Sequence, residues 1–135
     1  MNNPRAAAIT PFLMFEGNAE AALNLYCALF KPAEIISLDR YGPNEPGAAG
    51  SVRMAVFTLK GQRFMCIDSY VAHEHTFTPA LSLYAECDDA SEIAHLFAAL
   101  ADGGKVHMPL DNYGFSTQFG WVDDRFGVSW QLNLS

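Results

Sequence analysis

Residues 18–30 read "NAEAALNLYCALF" and residues 89–101 read "DASEIAHLFAALA". Both place apolar residues at helical spacing behind a polar cap. In the first, Asn18 is placed to cap a helix running to about Phe30, with Ala19, Ala22, Leu23, Tyr26 and Phe30 on one stripe. In the second, Asp89 and Glu92 have capping-box spacing, with Asp in place of the usual Ser or Thr. Ile93, Leu96, Phe97 and Leu100 recur at i, i+3, i+4 and i+7, and Gly103 and Gly104 stop the helix. At an offset of 71 the segments superpose: Asn18 meets Asp89, Ala19 meets Ala90, Leu25 meets Leu96, and Tyr26 meets Phe97.

The flanks repeat as well. The strand-like runs "ITPFLMF" and "ALSLYAEC" precede the helices, and "EIISLDRY" and "KVHMPL" follow them. Each half ends in two strands joined by a tight glycine turn, "SVRMAVFTLKGQRFMCIDS" and "STQFGWVDDRFGVSWQLNL", with Gly61 matching Gly127 at an offset of 66. The order of elements is β-α-β-β-β, twice. One half can bury only one side of its sheet, so the two halves are expected to associate. The expected fold is α+β, a single domain over residues 1–135 made of two βαβββ modules. The modules span about residues 7–69 and 79–135, with residues 70–78 as connector. The Gly/Pro-rich "YGPNEPGAAG", residues 41–50, is long for a connection between strands. It reads either as a flap over a site or as a solvated loop.

Composition excludes several classes. Half of the residues are hydrophobic and 17% are charged, enough for a packed core. The net charge is -7 and the eight Lys and Arg are scattered, so no basic stripe for nucleic acid exists. No apolar run reaches the roughly 18–20 residues that span a bilayer, and "MNNPRAAAITPFLMF" lacks the ordered regions of a signal peptide. Cys27, Cys66 and Cys87 are odd in number and widely spaced, which reads as reduced core cysteines of a cytoplasmic protein.

The twofold βαβββ pattern resembles the vicinal-oxygen-chelate superfamily, which includes glyoxalase I, the bleomycin-resistance proteins and the extradiol dioxygenases. "ITPFLMFEGNAEAALNLY", "FTPALSLYAECDD" and "FGWVDDRFGVSWQL" are similar to the PhnB-like branch, often labelled 3-demethylubiquinone methyltransferase-like. The resemblance covers nearly the whole chain. It implies a curved half-barrel of mixed sheet and a homodimer, with modules paired within one chain or across two. It also implies four positions that hold a metal in metal-using members. By the two offsets these fall near Pro11, Met65, Ser82 and Gln131. None is the His or carboxylate donor that such a site wants. No metal or other cofactor is therefore expected. Methyl transfer is disfavoured too, since no GxGxxG turn leads into a helix.

Alternation supplies the other candidates. Ser82, Tyr84 and Glu86 share one strand face, as do Ser129, Gln131 and Asn133. In the first module, Pro11, Leu13 and Phe15 are expected on the matching face, with Met65 and Ile67 opposite. The expected ligand-binding residues are Leu13, Arg53, Met65, Asp68, Ser82, Tyr84, Trp121 and Gln131. Their mixture of apolar and polar groups suits a small organic molecule with one hydrogen-bonding end. Arg53 reads either as a bidentate anion holder or as a snorkelling edge residue. Asp68 reads as a general base, a salt-bridge partner or a strand-end residue, with a structural role favoured. Trp121 reads as core or as a ring that stacks on a ligand. His73 and His75 lie in the connector without a third ligand at defined spacing, and His107 is ambiguous. "DDRFG", residues 123–127, reads as turn chemistry. The expected function is binding of a small molecule in a metal-free cleft. The alternatives are a glyoxalase-type isomerase or lyase and an antibiotic-sequestering resistance protein.

Overall fold

The computed structural model describes residues 9–135. Residues 7 and 8 of the expected first module, and most of the N-terminal stretch read for a signal peptide, lie outside the described residues. The chain forms two compact units that divide between His73 and Glu74. In the first, β1 (Phe12–Phe15), α1 (Ala19–Leu29), β2 (Ala33–Arg40), β3 (Val52–Leu59) and β4 (Gln62–Asp68) follow in order. In the second, β5 (Leu83–Glu86), α2 (Ala90–Ala101), β6 (Lys105–Asp111), β7 (Gln118–Asp123) and β8 (Ser129–Leu134) repeat that order.

Each unit builds one four-stranded mixed sheet with the same topology, β1-β4-β3-β2 and β5-β8-β7-β6. The first strand of each lies parallel to the last, and the helix is the crossover that such pairing requires. Each helix lies on one face of its own sheet and buries its apolar stripe there. Ala19, Ala22, Leu23 and Tyr26 are buried on α1, and Ile93, Leu96 and Leu100 on α2. Gly120 of β7 shows how closely α2 packs. A Cβ built there would lie 2.7 Å from the Phe97 ring, so the missing side chain is what lets Phe97 settle on the sheet.

The two helices start differently. Asp89 caps α2 as its sequence implies, accepting from the Glu92 amide at 2.7 Å, while Glu92 reaches back to the Asp88 amide at 2.6 Å. Asn18 makes no side-chain cap. The carboxylate of Asp68, at the end of β4, does that work. Its Oδ1 accepts from Gly17 N at 2.8 Å and Ala19 N at 2.9 Å, and its Oδ2 from Val52 N at 3.0 Å. One buried side chain thus joins the end of β4, the start of β3 and the N-terminus of α1, where negative charge is favoured.

The last hairpin is organised by Asp124. This buried carboxylate accepts from Phe126 N at 2.8 Å, Val128 N at 3.1 Å and the Trp130 indole at 2.9 Å. Gly127 supplies the positive φ of 93° that closes the loop. The 41–50 segment is tied by backbone bonds from Tyr41 N to Ser51 O and from Gly50 N to Tyr41 O, each 2.9 Å. Cys66 and Cys87 are buried, whereas Cys27 is only partly so. No helix among the described residues is long and apolar enough to cross a membrane.

Candidate functional site

Strand register decides which side chains share a face, because a slip of one residue reverses every side chain. In the second unit Tyr84 pairs with Gln131, and Gln131 pairs with Trp121. One row therefore runs Tyr84, Gln131, Trp121 on the face opposite α2. The next row runs Glu86, Asn133, Phe119. On the other side of Gln131, Ser129 pairs with Asp123, which in turn pairs with Lys105. The α2 side of the same strands carries Trp130, Leu132 and Val122, all buried.

The polar groups on this face are joined in pairs. Gln131 Nε2 donates to Ser82 Oγ at 2.8 Å. Asn133 Nδ2 donates to Glu86 Oε1 at 2.8 Å, and Ser116 Oγ donates to Asn133 Oδ1. The Trp121 indole donates to Ser129 Oγ at 2.8 Å. β6 is irregular between Val106 and Met108, and there the His107 ring lies 4.6 Å from that of Trp121. Aromatic rings line the far end. Phe119 is buried, and Tyr84, Tyr113 and Phe115 gather round it at 5.1–6.3 Å between centroids. Local burial, then the Glu86 carboxylate, raise the Tyr84 hydroxyl above the usual tyrosine pKa.

The first unit places its expected residues otherwise. Phe12 pairs with Met65, and Leu13 pairs with Cys66. Leu13 and Phe15 therefore face α1 together with Cys66 and Asp68, and all four are buried. The residues that share a face with Met65 and Ile67 are Phe12 and Met14. The expected grouping of Leu13 with Met65 is corrected by one residue. The cause is that Met65 and Gln131 are 66 apart, while their partners Phe12 and Tyr84 are 72 apart, not 71. Extending that register makes Thr10, not Pro11, the counterpart of Ser82. Asp68 is turned toward α1 and holds three backbone amides, which removes it from the expected ligand face. Arg53 is exposed and bonds Glu45 of the 41–50 segment at 2.7 Å. Burial, then Asp68 and Cys27, push the Cys66 thiol up to about 12, so it is no nucleophile near neutral pH. His73 bonds Ser69 Oγ at 2.9 Å.

The metal positions of the superfamily do not fit a metal here. Gln131 and Ser82 are neutral and satisfy each other, Met65 is a thioether, and Pro11 offers only a backbone oxygen, which accepts from Met65 N at 2.9 Å. Substituting Thr10 for Pro11 adds one neutral hydroxyl. A divalent ion would find no charge to balance its own. No cluster of three or more His, Cys, Asp or Glu suited to a metal ion occurs among the described residues.

His107, Asp123 and Phe119 join the second unit's face without having been singled out for it, whereas Ser129 and Asn133 share it with Gln131 as alternation implies. Alternation along "QFGWVD" (residues 118–123) places Phe119, Trp121 and Asp123 together and was signal enough for those. His107 depends on the irregularity in β6, which the sequence does not announce.

Two sheets of this topology, each crossed by one helix, define the glyoxalase-like fold of the vicinal-oxygen-chelate superfamily. A glyoxylase/bleomycin resistance protein/dioxygenase domain from Frankia sp. EAN1pec shares it at 11% identity and TM-score 0.65, with 96% of this chain and 92% of that one covered. Within that class, the profile described as 3-demethylubiquinone-9 3-methyltransferase matches residues 7–133, and the chain belongs to this PhnB-like family. A solved structure from Bacillus cereus, a putative 3-demethylubiquinone-9 3-methyltransferase, PhnB protein, is 57% identical. It has TM-score 0.92, with 94% of this chain and 98% of that one covered. Protein YjdN of Escherichia coli is 24% identical over 140 residues, 93% of this chain and 94% of that one.

Proposed function

We propose that the chain binds a small organic molecule on the second unit's sheet, on the face opposite α2, without a metal ion. The observation that carries this is the side-by-side row of Tyr84, Gln131 and Trp121. It offers two aromatic rings flanking an amide, with Ser82 as that amide's partner. Such a surface recognises a flat or compact ligand by ring contact and fixes its orientation with one or two hydrogen bonds. The apolar neighbours Phe119, Tyr113 and Phe115 extend the surface on one side.

Methyl transfer is not favoured despite the family's description. The connection from β1 to α1 is Glu16–Gly17–Asn18, and its Gly17 and Ala19 amides are already occupied by Asp68. The glycine-rich turn that cradles a nucleotide-like methyl donor is missing from it. Sequestration of an antibiotic remains the second reading, favoured by the aromatic wall. It predicts tight binding without turnover. A homodimer accompanies either reading, in keeping with the resemblance.

The test is an NMR titration with neutral aromatic alcohols and amides, beginning with benzyl alcohol and 4-hydroxybenzamide. The Gln131 side-chain amide and the Trp121 indole are expected to shift together and saturably. Gln131→Leu should weaken binding at least tenfold. No saturable shift at either group across the panel, or undiminished binding by Gln131→Leu, overturns the assignment.

A further inference from the structure

The row Glu86, Asn133, Phe119 continues to Asp111, which the register sets opposite Phe119 on β6. It has a carboxylate at each end and an aromatic ring between them. Three more rings gather there and stay in solvent: Phe115 is 61% exposed, Tyr84 54% and Tyr113 39%, against 5% for Phe119. The core of this unit lies on the α2 side, and large apolar side chains grouped in water on the other side mark a surface that something covers. The rings are also held in place. Tyr113 and Phe115 sit on the connection from β6 to β7, which is tied by Asn112 N to Asp111 Oδ1 at 2.7 Å, Gly114 N to Asn112 Oδ1 at 2.8 Å and the Tyr113 hydroxyl to Pro109 O at 2.6 Å. Ser116 and Glu86 meet through the Asn133 amide. A ligand therefore finds these groups already ordered.

We propose that this aromatic end takes an alkylammonium group, above all a quaternary one. Ring faces carry negative potential and attract a cation that lies over them. Tyr113 stands at 84° and Phe115 at 67° to Phe119, so the cluster presents ring faces in more than one direction. Glu86 and Asp111 add negative charge beside the rings. The second unit's two basic side chains belong elsewhere: Lys105 is opposite Asp123 at the other end of β7, and the Arg125 guanidinium lies 5.0 Å over the Phe126 ring. A quaternary ammonium has no N–H to satisfy, so it needs no hydrogen-bond acceptor, and its methyl groups suit apolar rings. The chain's net charge of -7 acts in the same direction. This inference rests on the proposed binding face and adds the chemical class that its far end accepts.

Choline is the probe, and 3,3-dimethylbutan-1-ol, the same shape without the charge, is its control. NMR titration is expected to shift the ring signals of Tyr84, Tyr113 and Phe115 saturably with choline, while the buried Trp130 indole stays in place and reports an intact fold. Choline should bind about fivefold or more tighter than the neutral alcohol. Phe115→Leu removes an exposed ring, and Glu86→Gln removes charge while leaving an oxygen for the Asn133 amide. Each should weaken choline about threefold or more, and Glu86→Gln should leave the neutral alcohol unaffected. Benzyl alcohol at the Trp121 indole reports the binding face separately. If it binds there and choline moves none of the three rings, or binds no tighter than its neutral control, the inference fails and the binding face stands. Choline binding undiminished in both variants also overturns the inference. If neither choline nor benzyl alcohol binds, both readings fail.

Discussion

Replacing Asp68 by alanine removes one side chain that holds three backbone amides. Ala19 N and Val52 N are bonded to it in buried surroundings, and Gly17 N in a partly buried one. Water can reach the Gly17 amide after the substitution, so its loss is small. The other two lose charge-assisted bonds and stay buried, at about 1–3 kcal/mol each. Loss of the negative charge at the start of α1 adds about 0.5 kcal/mol. The sum is about 4 kcal/mol, a large part of the roughly 5–15 kcal/mol that holds a domain of this size together. With a urea m-value of about 2 kcal/mol/M, the unfolding midpoint should fall by about 2 M. Asp68→Asn keeps one acceptor oxygen but turns an NH2 group toward at least one amide. It should cost about half as much. Urea unfolding followed by far-UV circular dichroism measures both. A midpoint within about 0.5 M of wild type for Asp68→Ala would refute the capping role and return Asp68 to the ligand-binding candidates.

Gly120→Ala should destabilise by about 1–3 kcal/mol, because the new methyl meets the Phe97 ring at 2.7 Å; thermal unfolding reads it, and Phe97→Leu in the same chain should recover part of the loss. Asp124→Ala should cost about 3–5 kcal/mol by stranding the buried Trp130 indole and two turn amides, seen as a lowered urea midpoint and a shifted Trp130 indole signal. Cys66, with its thiol pushed up to about 12, should resist alkylation in the folded protein at pH 8, where about one part in ten thousand is thiolate. Its contribution to stability is whole below the unfolded thiol's value of about 8.5 and shrinks as pH rises from there toward about 12. Mass-spectrometric labelling with iodoacetamide, native against urea-unfolded, checks the first part, and Cys66→Ala with its flattened alkaline stability profile checks the second.

Helices and strand order were legible because their signals are local. The stripe Ile93, Leu96, Phe97 and Leu100 and the Asp89–Glu92 pair are features of a dozen consecutive residues, and the duplicated order of elements doubled them. The second unit's face was legible for the same reason: Ser82, Tyr84 and Gln131 follow from alternation along two short strands. The first unit's face was not. Superposing the helices fixes an offset of 71, but the sheet's own pairing relates Phe12 to Tyr84 at 72, and strand pairing across 53 residues leaves no local trace. Asp68 escaped for a related reason. Its three partners lie 16, 49 and 51 residues away, so nothing beside it in sequence marks it as a cap. His107 is turned toward Trp121 where β6 departs from regular pairing, and alternation has no power there.

Binding of the neutral aromatic panel, measured by NMR once with EDTA and once with added zinc or manganese, tests the metal-free binding face most directly. Saturable shifts at the Trp121 indole and the Gln131 amide, of the same affinity under both conditions, are what this account predicts. Shifts that appear only with the added metal ion, or that fall on the first unit and spare Trp121 and Gln131, would contradict it.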